Sequence, residues 1–238
     1  MQILEFDDME TLSAHAANMA REITQAAVAE RGVFTLALAG GETPRRTYEL
    51  LAEAVGFPWE NGHIFFTDER CVKPEHEQSN FRMAHEALLS KIDIPAARVH
   101  RIKAAGFTPG LDAGGYEFEV VNTFKYNKLN QDGDYPFDLI FLGMGKDGHT
   151  ASLFPGGDSM LAKRQLIMAI DPEGDPLVGR ITMTLPLINM ARNVVIMISG
   201  AEKRALLAEI EQDLEAAQGD YPVALVEPRG TLTWLAAK

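Results

Sequence analysis

The chain has 238 residues, of which 46% are hydrophobic and 24% charged, so it is long and apolar enough to bury a large core. Its formal net charge of -12 argues against nucleic acid and anionic membrane surfaces as partners. A single cysteine cannot form an internal disulfide. The acidic start does not predict a signal peptide, and no apolar run is long enough to predict a membrane helix. We therefore expect a soluble cytoplasmic protein.

Apolar segments of strand length alternate with segments of helical spacing along the chain. The first helical segment ends in a glycine, and short apolar runs bounded by glycine or charge follow it. This alternation predicts one α/β domain over 1–238, with a mostly parallel sheet and helices on both faces. Helices are predicted at 11–32, 43–55, 79–92, 114–129, 185–191 and 201–218, and strands at 33–41, 63–70, 98–102, 137–145, 165–170, 180–184 and 193–200, with the apolar segments 222–226 and 231–238 closing the chain.

Ligands of such sheets bind beyond the carboxyl ends of the strands, so the loops there are informative. The first loop is "AGGETP", in which Gly40 and Gly41 allow close approach of the backbone to a ligand. Thr43 and Pro44 then fit the start of a helix, whose free N–H groups attract anions. An ordinary tight turn explains the glycines equally well. The loop matches neither nucleotide-binding glycine motif, so nucleotide binding is not indicated.

The second loop is "TDER", which places Asp68 and Arg70 at the end of an apolar strand. On its own, such a segment is most often a solvated charged turn. An arginine at the carboxyl end of a strand can instead hold a phosphate or a carboxylate through paired hydrogen bonds.

The third loop, "GMGKDGHTASLFPG", follows the most strand-like run of the chain. Its glycines, Gly145 among them, allow sharp turns and expose backbone N–H groups. Histidine is the side chain that exchanges protons most readily near neutral pH, and a glycine-rich turn does not require one. We therefore predict a functional role for His149, with Asp147 placed to orient the imidazole or a water molecule. A structural histidine remains the alternative.

Two further basic residues lie next to later strands of the predicted sheet. Arg180 begins "RITMT", and Lys203 lies in the first turn of a helix, where the helix dipole disfavours a cation and thus hints at an anionic ligand. A surface lysine is an equally good interpretation. No metal-ligand spacing and no G-x-S-x-G motif occur, so neither a zinc site nor a nucleophilic serine is predicted. The remaining histidines are predicted to be structural: His15, His63, His76, His85 and His100.

In their order, "AGGETP", "FFTDER…SNF", "FDLIFLGMGKDGHTASLFPG", "RITMT" and "SGAEK" resemble the 6-phosphogluconolactonase family of the glucosamine/galactosamine-6-phosphate isomerase superfamily. The resemblance implies a Rossmann-like α/β/α sandwich, like that of glucosamine-6-phosphate deaminases. Those deaminases continue after the histidine with "IAFNEP", whose glutamate assists ring opening, and usually carry tyrosine in place of Arg70. Here "TASLFP" places Leu153 and Phe154 there. Glu42 stands where lactonases commonly have serine, so we expect it to point away from the phosphate.

The resemblance implies hydrolysis of 6-phospho-D-glucono-1,5-lactone to 6-phospho-D-gluconate in the oxidative pentose phosphate pathway, without metal or cofactor. His149 would activate a water molecule, and Asp147 would orient His149 or the water. The alternatives are a deaminase or isomerase of an amino sugar phosphate, and a sugar-phosphate sensor without catalysis. We expect a monomer or a weak homo-oligomer and a mobile flap at 171–179. The residues expected to hold substrate and phosphate are Gly40, Gly41, Thr43, Asp68, Arg70, Gly145, Arg180 and Lys203.

Overall fold

A computed structural model describes residues 1–104, 108–130 and 133–238. The strands are β1 (Gln2–Phe6), β2 (Phe34–Leu38), β3 (Gly62–Phe66), β4 (Asp68–Arg70), β5 (Leu139–Gly143), β6 (Ile167–Glu173), β7 (Val178–Met183), β8 (Asn193–Ser199) and β9 (Thr231–Ala237). The α-helices are α1 (Met9–Arg31), α2 (Arg45–Glu53), α3 (Asn80–Ala87), α4 (Pro109–Tyr126), α5 (Leu185–Ile188), α6 (Ala201–Gln212) and α7 (Leu214–Asp220).

The central sheet has six parallel strands in the order β1-β9-β8-β5-β2-β3. Every residue of β2 and β3 is buried. Because successive side chains of a strand point to opposite faces, both faces of the sheet must be covered in this region. The predicted α/β class with a mostly parallel sheet is confirmed.

A second, antiparallel sheet of order β4-β7-β6 was not predicted. The segment 171–179, expected to be a loop, is largely part of this sheet, since β6 extends to Glu173 and β7 begins at Val178. Its polar, proline-rich composition hid the hairpin because ladder hydrogen bonds use backbone groups and do not require apolar side chains. The expected mobility of this segment stays a prediction.

Several predicted strands differ from the structure. β1 was missed because it is a short edge strand with a mixed burial pattern, and its partner β9 lies far away in the sequence. The segment 63–70 is two strands rather than one, interrupted at Thr67. The predicted strand 98–102 is replaced by a 3₁₀ turn, Ala96–Arg98, and an isolated bridge between Val99 and Ile64. In the closing segment 222–226, Pro222–Leu225 also forms a 3₁₀ turn.

Several predicted helices have different ends, among them α3, which ends at Ala87 and not at 92, and α4, which spans Pro109–Tyr126 and not 114–129. The helix expected at 201–218 is divided at Asp213, whose side chain accepts a hydrogen bond from the N–H of Ala216 and so starts α7. The helix expected from Thr43 begins at Arg45, and no side chain caps it. Thr43 is therefore not an N-cap residue in this structure.

Helix α1 ends where the sequence predicted. Gly32 adopts a left-handed conformation with φ of 74° and donates its N–H to the carbonyl of Val28, as a C-terminal glycine commonly does. Neither α1, which has 23 residues, nor any other helix in the described ranges is long and apolar enough to cross a membrane.

Candidate active site

A cavity of about 460 Å³ lies at the carboxyl ends of the neighbouring strands β2, β5 and β8. This is the edge at which parallel α/β sheets bind ligands, and the volume suits a small molecule. The second sheet adds side chains from β4 and β7. All the predicted site residues line this cavity: Gly40, Gly41, Thr43, Asp68, Arg70, Gly145, Asp147, His149, Arg180 and Lys203.

His149 and Asp147 form a short pair in the loop after β5. The imidazole Nδ1 lies 2.6 Å from Asp147 Oδ1, and the backbone N–H of His149 donates to the same oxygen at 3.2 Å. A carboxylate at Nδ1 favours the tautomer with its proton there, which leaves a lone pair on Nε2. No hydrogen bond to Nε2 forms from any residue the structure describes. The pair therefore presents an unused proton acceptor.

Glycines make this loop geometry accessible. A Cβ atom at Gly145 would lie 2.1 Å from His149 Nδ1 and 2.5 Å from Asp147 Oδ1. Gly148 has φ of 79°, and a Cβ there would meet the ring of Tyr221 at 2.5 Å. The N–H of Gly145 donates to the carbonyl of His149, so Gly145 provides space in the cavity and not a free N–H group.

The glycine loop after β2 packs closely on α3. A Cβ at Gly40 would lie 1.9 Å from the side-chain oxygen of Asn80, and Gly41 has φ of 85°. Glu42 is paired with Arg45, whose Nε lies 2.9 Å from its carboxylate, and the Glu42 side chain is 82% exposed. The carboxylate is thus directed to Arg45 and its charge is compensated.

Asp68 joins two segments of the cavity wall. Its carboxylate accepts hydrogen bonds from Ser152 Oγ at 2.7 Å and from Asn80 Nδ2 at 3.1 Å, and its side chain is buried. Asp68 lines the cavity, but these bonds occupy both of its oxygens. The geometry therefore gives it a role in holding the loop after β5 to the start of α3.

Arg70 and Arg180 are direct partners across the β4–β7 ladder. Like charges opposite each other in an antiparallel pair are unfavourable, so this arrangement suits an anion between or beside them. Burial lowers the pKa of Arg180, and the charge of Arg70 contributes to the decrease, while Asp68 opposes it. Arg70 Nη1 donates to the carbonyl of Gln78, and its buried Nε has no partner among the described residues.

Lys203 lies in the first turn of α6 and lines the cavity. Burial and the neighbouring charge of Lys146 both lower the pKa of its ammonium group. Lys146 itself pairs with Glu202 at 2.6 Å, whereas Lys203 has no salt bridge to a carboxylate within the described residues. A desolvated cation without a counterion is a favourable place for an anionic ligand.

Glu69 is a buried residue between the cavity-lining Asp68 and Arg70, and the sequence did not reveal its structural role. It accepts hydrogen bonds from the N–H groups of Arg70, Asn80 and Phe81 and from Ser79 Oγ, at 2.7 to 2.9 Å. Burial raises the pKa of this carboxyl group, and the three N–H donors oppose that change. It fixes β4 against the start of α3 and so positions Arg70. The signal available in the sequence was "SNF" at 79–81, a typical helix start that lies ten residues after Glu69 and offers N–H groups to an acid.

Phe154 packs on His149 from behind the cavity lining, and the β6–β7 hairpin contributes to the wall itself. The centroids of the Phe154 and His149 rings are 4.8 Å apart, and the guanidinium carbon of Arg180 lies 5.3 Å from the Phe154 centroid. Gly174 and Asp175 of the hairpin turn also line the cavity. The sequence did not predict this contribution, because it required the pairing of β6 with β7.

Over residues 1–104, 108–130 and 133–238, no group of three or more His, Cys, Asp or Glu side chains is arranged to hold a metal ion. The charged side chains that line the cavity are the cations Arg70, Lys146, Arg180 and Lys203 and the acids Glu42, Asp68, Asp147 and Asp175.

The fold and cavity define an α/β protein with a small-molecule site at the carboxyl edge of a parallel sheet, suited to an anionic ligand. The family model described as glucosamine-6-phosphate isomerases/6-phosphogluconolactonase matches residues 7–234. The chain belongs to this family.

Individual relatives agree with this assignment. The chain is 45% identical to a 6-phosphogluconolactonase of Synechocystis over 210 residues, which is 88% of this chain and 84% of the relative. The solved structure of 6-phosphogluconolactonase from Thermotoga maritima matches with a TM-score of 0.86 and 33% identity, covering 100% of this chain and 99% of that one. A monomeric glucosamine-6-phosphate deaminase matches with a TM-score of 0.82 at 20% identity, covering 100% and 98%, and shares the fold.

Proposed function

We propose that the chain hydrolyses 6-phospho-D-glucono-1,5-lactone to 6-phospho-D-gluconate. The observation that carries this proposal is the His149–Asp147 pair, because His149 Nε2 is free within the described ranges and His149 lines a cavity that is also lined by four cationic side chains. Relatives named as 6-phosphogluconolactonases that cover most of the chain support the same reaction.

His149 acts as the general base in this mechanism. Asp147 holds the proton on Nδ1, so that Nε2 accepts a proton from water as the water oxygen bonds to the lactone carbonyl carbon. A positioned base of this kind contributes about 10²–10⁴-fold to the rate. A lactone is an activated ester, so neither a covalent nucleophile nor a metal is required for the attack.

The attack places negative charge on the former carbonyl oxygen, which requires donors. Lys146 and Asp147 line the cavity, and their backbone N–H groups have no hydrogen bond to any described residue. These two groups are our candidates for stabilising the oxyanion. When the intermediate collapses, the bond from the carbonyl carbon to the ring oxygen breaks, and His149 returns the proton to that oxygen. The products are a hydroxyl group and a carboxylic acid that then ionises.

The phosphate is held by cations of the cavity wall. Arg70, Arg180 and Lys203 supply positive charge, and the glycine loop, which lines the same cavity, supplies neutral donors. Binding energy from the phosphate orients the lactone carbonyl towards His149, which converts affinity into rate.

Two observations separate this proposal from its alternatives. The positions at which a deaminase of this superfamily carries its glutamate are Leu153 and Phe154, and both are buried apolar residues. A sensor without catalysis does not require a histidine whose tautomer is fixed by a carboxylate. We therefore favour the lactonase over both other functions.

A hydrolysis assay tests the proposal. The phospholactone is generated in place, a chelator is added, and acid release is followed against the uncatalysed rate. We expect acceleration by the unaltered chain that falls by about 10²–10⁴-fold in His149→Ala. His85→Ala is the matched control, because His85 is exposed on α3 and outside the cavity. Full activity in His149→Ala would contradict the assignment of the base, and release of ammonia from glucosamine 6-phosphate would favour the deaminase.

We further propose that the chain acts as one domain, as a monomer or weak homo-oligomer, in the cytoplasm and in the oxidative pentose phosphate pathway. A single cysteine supports a reducing compartment. Light scattering at micromolar concentration tests the oligomeric state.

A further inference from the structure

We propose that Phe154 is a positioning residue for the catalytic histidine. This inference rests on the proposed lactonase reaction. Phe154 is almost fully buried and lies five residues after His149, where the loop turns back towards the second sheet. Its ring contacts the imidazole of His149 in a tilted arrangement, with 4.8 Å between centroids and 44° between planes.

The hydrogen bond that Nδ1–H donates to Asp147 does not by itself determine the orientation of the imidazole. A single bond at Nδ1 fixes the direction of that N–H group, but the ring can still swing about it, which would move Nε2 relative to the substrate. The face of Phe154 blocks this rotation on one side. Together the carboxylate and the aromatic ring hold Nε2 in place, and small displacements of a catalytic group lower the rate strongly.

Phe154 is itself held firmly, which a positioning residue requires. Its backbone carbonyl accepts the N–H of Gly157 at 3.1 Å. The hairpin turn passes directly over its ring, since a Cβ at Gly174 would lie 2.6 Å from two ring carbons. The guanidinium of Arg180 also lies over the ring at 5.3 Å, a favourable cation–π distance.

Arg180 does not depend on Phe154 alone for its position, so the substitution of Phe154 tests the position of His149 and not that of Arg180. Arg180 is also held by hydrogen bonds to the carbonyl oxygens of Glu173, at 3.3 Å, and Pro176, at 3.0 Å. Its position in the β4–β7 ladder is fixed by backbone pairing with Arg70. Loss of the Phe154 ring is therefore expected to disturb His149, whose ring has one hydrogen bond among the described residues, more than Arg180.

The substitution Phe154→Leu keeps an apolar side chain but removes the ring face. We expect kcat to fall about tenfold while KM changes less than about twofold. The matched control is Phe137→Leu, because Phe137 is equally buried, packs on Phe65 and Phe124, and does not line the cavity. Both variants lose stability, but the control is expected to keep its kcat. Phe154→Met serves as a second variant if the leucine variant does not fold.

A spectroscopic measurement follows the imidazole directly. In protein labelled with ¹³C-histidine, the ring signal that disappears in His149→Ala belongs to His149. We expect Phe154→Leu to shift this signal, because a ring-current contribution is removed, while Phe137→Leu leaves it unchanged. A kcat for Phe154→Leu equal to that of Phe137→Leu, or an unmoved His149 signal, would overturn the inference. Absence of catalysis by the unaltered chain would overturn the proposed function, and with it this role, so the two failures are distinguishable.

Discussion

Two histidine–carboxylate contacts in this chain have similar lengths and very different surroundings. In the cavity, His149 Nδ1 lies 2.6 Å from Asp147 and Nε2 is unused by the described residues. At the edge strand β3, His100 Nδ1 lies 2.8 Å from Glu119, but His100 Nε2 contacts His63 Nδ1 at 2.9 Å.

The difference is in what remains free. His63 and His100 are buried and stack on each other, and His100 also stacks on Phe65. Both ring nitrogens of His100 are bound, so the hydrogen-bonded side chains of His63, His100 and Glu119 support the fold. Burial, followed by the charges of His100 and Arg98, lowers the pKa of His63 to about 4. A histidine beside a carboxylate is thus a candidate base only when its second nitrogen is free and reaches a cavity.

The largest effect expected from breaking the catalytic pair is kinetic. In Asp147→Asn the amide can donate to Nδ1, which favours the tautomer with the proton on Nε2 and removes the acceptor that faces water. We expect kcat to fall about a hundredfold, with the melting temperature unchanged within a few degrees. The measurement is the hydrolysis assay together with thermal unfolding. Retention of full kcat would show that Asp147 does not select the tautomer.

Two arginines differ in the same way, since in the described ranges one is left without a carboxylate partner and the other is paired. Arg70 lies in the cavity without a salt bridge among the described residues, whereas Arg46 on the surface is paired with Glu10 at 2.8 Å. We expect Arg70→Ala to weaken binding of 6-phosphogluconate about tenfold or more, because charge-assisted hydrogen bonds to phosphate are lost. Arg46→Ala is the control and is expected to leave affinity unchanged. Equal titration curves for both variants by calorimetry would remove Arg70 from the phosphate site.

The burial of His63 beside His100 predicts how the stability of the fold depends on pH. Because the folded pKa of His63 is about 4 and an unfolded histidine has a pKa of about 6.5, the unfolded chain binds an additional proton between these values. The free energy of unfolding should therefore fall as the pH is lowered from about 6.5 to about 4. Urea denaturation at several pH values measures this slope, and His63→Asn should make it smaller. Identical slopes in the two proteins would contradict the prediction.

The smallest expected effect concerns the acidic residue in the glycine loop. Glu42 lines the cavity, but its carboxylate is exposed and paired with Arg45, so its charge is compensated. We expect Glu42→Ser to change the affinity for 6-phosphogluconate less than about twofold, since exposed ion pairs contribute little. A larger gain in affinity would mean that the carboxylate repels the phosphate in solution.

Much of the site could be predicted from local sequence because its residues follow the ends of apolar strands. Parallel strands end at one edge of a sheet, so His149, Gly40 and Lys203 were expected to meet there, and they line one cavity. Glu69 was missed because its role depends on a helix start folding back on it. The hairpin residues Gly174 and Asp175 were missed because β6 and β7 pair through their backbones, which leaves little pattern in the side chains.

The sequence by itself determined the α/β class, the order of the main elements and the chemical groups available after each strand. These properties depend on local periodicity and on turn residues, which act over a few neighbours. Tertiary structure alone decided that Arg70 faces Arg180, that β1 pairs with β9, and that His149 keeps Nε2 free of the described residues while both ring nitrogens of His100 are bound. Those outcomes depend on contacts between residues far apart in the chain, whose energies no local pattern encodes.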